Sequence, residues 1–127
     1  KPSQEERESA VHLKLSVLKS VVKDKRLVLI DDSIVRGTTM ANLITMLKTA
    51  GAKEVHIRIC SPPFLYPCYY GTDIPNNSQL IASSHTCDEI CEQIGASSLG
   101  YMKIEDLSEM TGNLPLCKAC FNKHYPL

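Results

Sequence analysis

The residues best suited to chemistry lie in one run, from Val28 to Thr39. Its first three residues complete a stretch of four aliphatic residues that begins at Leu27. Two adjacent carboxylates, Asp31 and Asp32, come next, and hydroxyl groups and a glycine follow at Ser33, Gly37, Thr38 and Thr39. Backbone N–H groups at the start of a helix attract an anion, and a glycine lets the chain approach it closely. Because carboxylates repel phosphate, Asp31 and Asp32 are better suited to a neutral diol or to Mg²⁺. The run therefore indicates a site for a sugar phosphate.

Two common nucleotide-binding motifs are missing, because neither the Gly-Lys-Ser/Thr end of a Walker loop nor G-x-G-x-x-G occurs. A simpler interpretation stays open, in which Asp32 or Ser33 caps a helix and Gly37 makes a turn. Arg36 fits either a solvated turn arginine or a contact to a phosphate or a partner. The whole run, rather than any one residue, favours the ligand site.

Composition excludes several classes of protein. The chain has 127 residues, and its 14 Lys+Arg balance its 14 Asp+Glu, so we expect no nucleic-acid surface. Its longest apolar stretches are far shorter than the roughly 20 residues that cross a bilayer, so we expect no membrane span. Lys1 to Glu8 is polar without an apolar core, which does not fit a signal peptide and indicates the middle of a longer protein.

The spacing of apolar residues predicts an α/β fold. Arg26–Asp31 is typical of a strand that is buried on both faces of a parallel sheet. A helix is predicted from Thr38 to near Gly51, and the alternation of Val55 to Ile59 predicts a second strand. Residues 11–22 fit either a strand or a helix.

The second half of the chain begins with a long irregular connection over residues 61–78. Leu80–Ala82 is a candidate strand. Thr86 and Glu89 form a capping box that opens a helix ending at Gly95. A last strand over Ser98–Met102 and a last helix over Ile104–Met110 are predicted.

Six cysteines occur, and their settings favour a reducing compartment over a disulfide framework. Cys117 and Cys120 form a C-x-x-C, which alone fits half of a zinc site, a redox pair or two unrelated thiols. Cys60, Cys87 and Cys91 are predicted to be core thiols.

The run ending in Gly-Thr-Thr resembles the phosphoribosylpyrophosphate (PRPP) loop of type I phosphoribosyltransferases. The variant Asp-Asp-Ser-Ile-Val-Arg-Gly-Thr-Thr is similar to that of the glutamine PRPP amidotransferase family. The likeness covers essentially the whole chain, in stretches that include Pro2-Ser3-Gln4, Arg7-Glu8, Gly51-Ala52-Lys53-Glu54-Val55-His56, Ser61-Pro62-Pro63, Tyr66-Pro67-Cys68-Tyr69-Tyr70-Gly71, Leu80-Ile81-Ala82 and Ile94-Gly95-Ala96.

The resemblance implies a partial type I phosphoribosyltransferase fold, which is Rossmann-like, with a parallel sheet and flanking helices. Residues 1–112 would be the C-terminal part of that domain, and residues 113–127 a cysteine-bearing tail. The family's glutaminase domain and the first strands of the phosphoribosyltransferase domain are not in this sequence. We therefore expect an exposed sheet edge that favours dimerisation, and a fragment that is inactive alone.

The resemblance also implies a reaction, which is the transfer of glutamine-derived ammonia to PRPP in cytoplasmic purine synthesis. Asp31 and Asp32 would hold the ribose 2- and 3-hydroxyls, directly or through Mg²⁺. The 5-phosphate would be wrapped by Ser33, Ile34, Val35, Arg36, Gly37, Thr38 and Thr39. The implied partners are PRPP, purine nucleotides as feedback ligands, the glutaminase domain and further copies of the parent protein.

One branch of the family carries a structural [4Fe–4S] cluster, and three of its ligands match Cys68, Cys117 and Cys120. The fourth would lie upstream of Lys1. Two other functions stay open, a salvage phosphoribosyltransferase that acts on a free base and a regulator that senses PRPP without catalysis. The cysteine tail and the loop variant argue against the salvage enzyme.

Overall fold

The protein, described here from a computed structural model, is defined over residues 19–71, 74 and 76–126. Its centre is a parallel three-stranded sheet in the order β1-β2-β3, formed by β1 (Arg26–Asp31), β2 (Glu54–Ile59) and β3 (Ser98–Tyr101). Besides the helical residues 19–22, four α-helices accompany it in the described residues: α1 (Thr38–Thr49), α2 (Cys87–Ile94), α3 (Ile104–Met110) and α4 (Ala119–Asn122). The predicted α/β fold with a parallel sheet and flanking helices is confirmed.

The helix α1 and the strand β2 form where the apolar periodicity predicts them. In β2, Val55, Ile57 and Ile59 are buried while Arg58 is exposed on the opposite face. In α1, one face is buried, with Met40, Ile44 and Leu47. The capping box of Thr86 and Glu89 opens α2 as predicted. Packing of α1 and α2 against one face of the sheet creates the core.

The strand β1 forms as predicted, but the prediction that it is buried on both faces is wrong. Val28 is 65% exposed and Ile30 is 67% exposed. Both side chains lie on the sheet face opposite α1 and α2, and within the described part of the chain β1 is an edge strand of the sheet. A run of aliphatic residues thus predicts a strand without revealing which neighbours cover it.

The predicted strand at Leu80–Ala82 is also wrong. Two short 3₁₀ helices occupy this region, Asn77–Gln79 and Ile81–Ser83. Local hydrogen bonds from the N–H of Leu80 to the carbonyl of Asn77 (3.0 Å) and from Ser83 to Leu80 (3.1 Å) close these turns. The backbone therefore bonds within the segment rather than in a sheet ladder.

The prediction of core thiols at Cys60 and Cys87 is wrong, since both residues are exposed, and Cys91 is half-buried. Cys87 lies in the first turn of α2, where its thiol donates to the carbonyl of Leu99 at 3.6 Å. Residues 19–22 are helical, and the remaining residues of the ambiguous 11–22 segment lie outside the described ones. No helix in the described ranges combines the length and apolarity needed to cross a membrane.

Candidate functional site

The β1–α1 loop (residues 32–37) begins at the carboxyl end of β1, where open α/β sheets bind ligands. The carbonyl of Asp31 accepts a hydrogen bond from the N–H of Cys60 at 2.9 Å, so the end of β1 is tied to the chain after β2. A cavity of about 420 Å³ opens beside the loop. Its walls are formed by Asp31, Ser33, Ile34, Val35, Arg36, Gly37, Thr39, Met40, Leu43 and Gln79.

The two carboxylates form a connected row of acceptors. The N–H of Asp32 donates to Oδ1 of Asp31 at 2.9 Å, and the hydroxyl of Ser33 donates to Oδ1 of Asp32 at 2.8 Å. Both aspartates are exposed, and no described residue donates a hydrogen bond to the other oxygen of either carboxylate. These open oxygens are suited to sugar hydroxyls or to Mg²⁺.

Gly37 lines the same cavity at the start of α1. It is the N-cap of α1 in the left-handed conformation (φ 78°, ψ −19°), and no side chain caps the helix there. The first turn of α1 contains no acidic residue. Backbone N–H groups at this end of α1 thus remain available for a negatively charged group, which the helix dipole also favours.

The β1–α1 loop is held in place by the core and by the segment around Ile81, which is distant in the sequence. Ile34 is only 3% exposed and belongs to the core cluster, so its side chain anchors the loop. The carbonyl of Val35 accepts a hydrogen bond from the N–H of Ile81 at 2.9 Å. A Cβ added at Gly37 would lie 3.0 Å from Cδ1 of Ile81. The loop is therefore fixed before any ligand arrives.

Most of the residues expected at this site line the cavity, whereas Asp32 and Thr38 lie next to its walls without lining them. Three lining residues were not foreseen. Met40 and Leu43 belong to the apolar side of α1, which also packs into the core. Gln79 lies 43 positions from Arg36, whose guanidinium it contacts, and no sequence signal relates the two.

The cysteine-bearing tail packs against the irregular connection that follows β2. The N–H groups of Leu65 and Tyr66 donate to the carbonyl of Cys120 at 2.9 and 3.0 Å. The rings of Phe64 and Phe121 lie 5.1 Å apart, and the hydroxyl of Tyr125 donates to the carbonyl of Pro67 at 2.8 Å. This packing brings the tail to the segment that contains Cys68.

Two thiols of this region lie close enough to a third to affect it. Burial raises the pKa of Cys120, a backbone hydrogen bond opposes that rise, and nearby Cys68 and Cys117 raise it further. Across the described ranges, no three His, Cys, Asp or Glu side chains form a group able to hold a metal ion. Cys68, Cys117 and Cys120 therefore lie near one another without forming such a group by themselves, and a [4Fe–4S] cluster takes four cysteine ligands.

The chain is similar to several known proteins. Amidophosphoribosyltransferase of Methanocaldococcus jannaschii is 53% identical over 125 residues, which are 98% of this chain and 26% of that protein. A solved structure of the allosteric regulatory enzyme of purine biosynthesis superposes with a TM-score of 0.81 at 44% identity, covering 99% of this chain and 28% of that one.

A second solved structure is glutamine PRPP amidotransferase from Bacillus subtilis in complex with ADP and GMP. It superposes with a TM-score of 0.80 at 43% identity and covers 99% of this chain and 29% of that one. The chain thus spans between a quarter and a third of the length of these proteins. No protein-family model matches it.

Proposed function

The chain is homologous over nearly its whole length to amidophosphoribosyltransferases, and we propose that it forms the PRPP-binding part of such an enzyme. In the whole enzyme, ammonia released from glutamine would attack C1 of PRPP, and the bond from C1 to pyrophosphate would break. The products are 5-phosphoribosylamine, pyrophosphate and glutamate. This is a step of purine synthesis, which we place in the cytoplasm.

The observation that carries the proposal is the arrangement of opposite chemistries around one cavity. The carboxylate of Asp31 and the left-handed Gly37 at the start of α1 both line it. The N–H groups and hydroxyls of residues 33–39 would bind the 5-phosphate, while Asp31 and Asp32 would bind the ribose 2- and 3-hydroxyls. A phosphorylated pentose has these two kinds of group at its two ends.

The chain's own residues would act by positioning and by charge. Loss of pyrophosphate leaves positive charge on the ribose ring, which carboxylates near the ring stabilise. A phosphate fixed at the start of α1 holds C1 in one place for the incoming ammonia. Asp31 and Asp32 also fit Mg²⁺, because their open carboxylate oxygens are the ligands it prefers, and the ion would supply charge neutralisation for the leaving group.

Binding of ribose 5-phosphate to this chain, measured by calorimetry with Mg²⁺, tests the proposal. We expect D31N and D32N each to raise the Kd by about tenfold, since each loses a charge-assisted hydrogen bond worth about 1.4 kcal/mol. D88N is the matched control, because Asp88 is in the first turn of α2 and does not line the cavity. Wild-type protein that fails to bind, or variants that bind as it does, would contradict the assignment.

The cysteines support a second part of the proposal, a structural [4Fe–4S] cluster in the parent enzyme. Cys68, Cys117 and Cys120 would supply three thiolates, and the fourth would come from outside this chain. Anaerobically prepared whole enzyme should be brown and should lose the colour in C117S. C60S is the control, since Cys60 follows β2 and lies outside the tail region.

The remaining partners belong to the same proposal. The Bacillus subtilis relative is described with ADP and GMP, which supports purine nucleotides as ligands of the parent enzyme. A glutaminase domain is the proposed source of ammonia. Among the described residues β1 is an edge strand, which supports association with further protein, including other copies of the parent chain.

A further inference from the structure

We propose that Gln79 is a positioning residue of the candidate site, which holds the guanidinium of Arg36 at the cavity wall so that it meets the phosphate group of the ligand. This inference rests on the proposed function, because it assumes a phosphorylated sugar beside the β1–α1 loop. It adds a residue that neither the loop motif nor the local sequence indicates.

A hydrogen bond links the side chains of Arg36 and Gln79. Nη2 of Arg36 donates a hydrogen bond to Oε1 of Gln79, and both residues line the cavity. An exposed arginine loses much side-chain entropy when a ligand fixes it. Because Gln79 already restricts the guanidinium, less of that entropy remains to be lost on binding.

Local structure holds the backbone of Gln79 in place. It is the last residue of a 3₁₀ helix, and the next residue, Leu80, is only 2% exposed. Directly beyond it, the N–H of Ile81 donates to the carbonyl of Val35 in the β1–α1 loop. The backbone around Gln79 is therefore fixed to the same loop that carries Arg36.

The pair of Arg36 and Gln79 keeps the positive charge of the arginine. The amide of Gln79 is neutral, so it holds Arg36 without neutralising it. A guanidinium has five N–H donors in a planar fork, and the bond to Gln79 leaves others for a phosphate. A carboxylate in this place would compete with the phosphate for the same positive charge.

The side chains of Arg36 and Gln79 also lie between the candidate site and a second cavity. A second cavity, of about 370 Å³, is lined by Arg36 and Gln79 together with residues that include Ser84 and His85. The two side chains thus form a wall shared by both cavities. We infer that loss of the contact frees Arg36 to turn away from the phosphate.

A double-mutant cycle on this chain tests the inference, with ribose 5-phosphate affinity measured by calorimetry. Q79L should raise the Kd by about threefold to tenfold, as expected for loss of one side-chain hydrogen bond. In the R36A background, Q79L should cause no further change, because Gln79 acts through Arg36. Q93L is the matched control, since Gln93 lines the second cavity and not the candidate site.

Two outcomes would overturn the inference: an unchanged Kd for Q79L, or an equal effect of Q79L with and without Arg36. A second readout is the NMR signal of the Arg36 Nε–H group, identified by its loss in R36K. It should be sharp in the wild type and broadened in Q79L but not in Q93L, and identical sharpness in all three would also overturn the inference. Failure of wild-type protein to bind the sugar phosphate would contradict the proposed function, while this NMR test of the Arg36–Gln79 contact would still stand.

Discussion

Gly37 and Ile81 meet so closely beneath the β1–α1 loop that a Cβ added at Gly37 would lie 3.0 Å from Cδ1 of Ile81 and 3.5 Å from Cγ2 of Ile94. The φ of Gly37 is also positive, at 78°. Two separate constraints therefore favour glycine at the N-cap of α1. Its lack of a side chain lets the loop pack on the core and leaves the first turn of α1 open to an anion.

We expect G37A to lower the free energy of unfolding by more than G112A, and to weaken binding of ribose 5-phosphate. The strain of a left-handed residue costs about 1–2 kcal/mol in either variant. Gly112 has a φ of 63° with nothing within 4 Å of an added Cβ, so it isolates that strain. Urea denaturation measures both variants, and equal losses would show that the Ile81 contact is unimportant.

Tyr101 should titrate at unusually high pH and should limit stability in alkali. Burial raises its pKa to about 12, and nearby Cys87 contributes. Its hydroxyl is buried and has no hydrogen-bond partner among the described residues. Because the folded pKa lies above the ordinary value of 10, the unfolded chain loses its proton first, and stability falls as pH rises from 10 towards 12.

Y101F should therefore be more stable than wild type at pH 7 by about 1 kcal/mol, the usual cost of an unsatisfied hydroxyl. It should also lose less stability between pH 10 and 12 than wild type does. Y69F is the control, because Tyr69 is 69% exposed. Ultraviolet titration and denaturation at several pH values measure both effects. A phenol at position 101 that ionises with the exposed tyrosines would contradict this account.

The capping box of α2 should contribute measurably to stability. Oγ1 of Thr86 accepts a hydrogen bond from the N–H of Glu89 at 3.3 Å, and the carboxylate of Glu89 accepts one from the N–H of Thr86 at 2.7 Å. T86A should lower the free energy of unfolding by about 1 kcal/mol. T45A removes a threonine within α1 whose hydroxyl only bonds the carbonyl of Ala41. That control should be close to neutral, and an equal loss in both would argue against the cap.

Acid should weaken the polar network on the outer face of the sheet. The hydrogen bond from His56 lowers the pKa of Glu54, partial burial opposes this, and Arg26 lowers it further. His56 also contacts the hydroxyl of Ser98 through Nδ1 at 2.8 Å. Because the folded pKa lies below the ordinary value of 4.5, the contribution of Glu54 is present above that pH and is lost as pH falls through the folded pKa.

Denaturation of E54Q at pH 7 and at pH 3 measures this contribution. The variant should lose less stability on acidification than wild type, and 1 M salt should reduce the difference because both side chains are partly exposed to solvent. E92Q is the control, since Glu92 is an exposed residue of α2 whose carboxylate accepts no hydrogen bond from a described residue. Parallel pH profiles for wild type and E54Q would refute the role of Glu54.

The sequence predicts those helices and strands whose formation depends mainly on their own residues. The alternation in β2, the apolar face of α1 and the capping box at Thr86 each specify their element directly. The burial of Val28 was mispredicted because it depends on which elements lie beside an edge strand. The segment at Ile81 was mispredicted because its hydrogen bond to Val35, a tertiary contact, competes with its weak strand propensity.

In the candidate site too, sequence neighbours could be predicted and tertiary contacts could not. The β1–α1 loop was recognisable because carboxylates, hydroxyls and a glycine follow one another in the sequence. Gln79 could not be recognised, since only the folded chain brings it to Arg36. Nor does a C-x-x-C at Cys117 show by itself that the tail packs against the segment containing Cys68.

The most direct test of the central claim is a crystal structure of this chain grown with ribose 5-phosphate and Mg²⁺. We predict that the phosphate oxygens lie about 3 Å from backbone N–H groups of residues 33–39, with the ribose 2- and 3-hydroxyls at Asp31 and Asp32, directly or through the metal ion. A sugar phosphate bound away from this cavity, or bound in it with the phosphate at the carboxylates, would contradict the assignment.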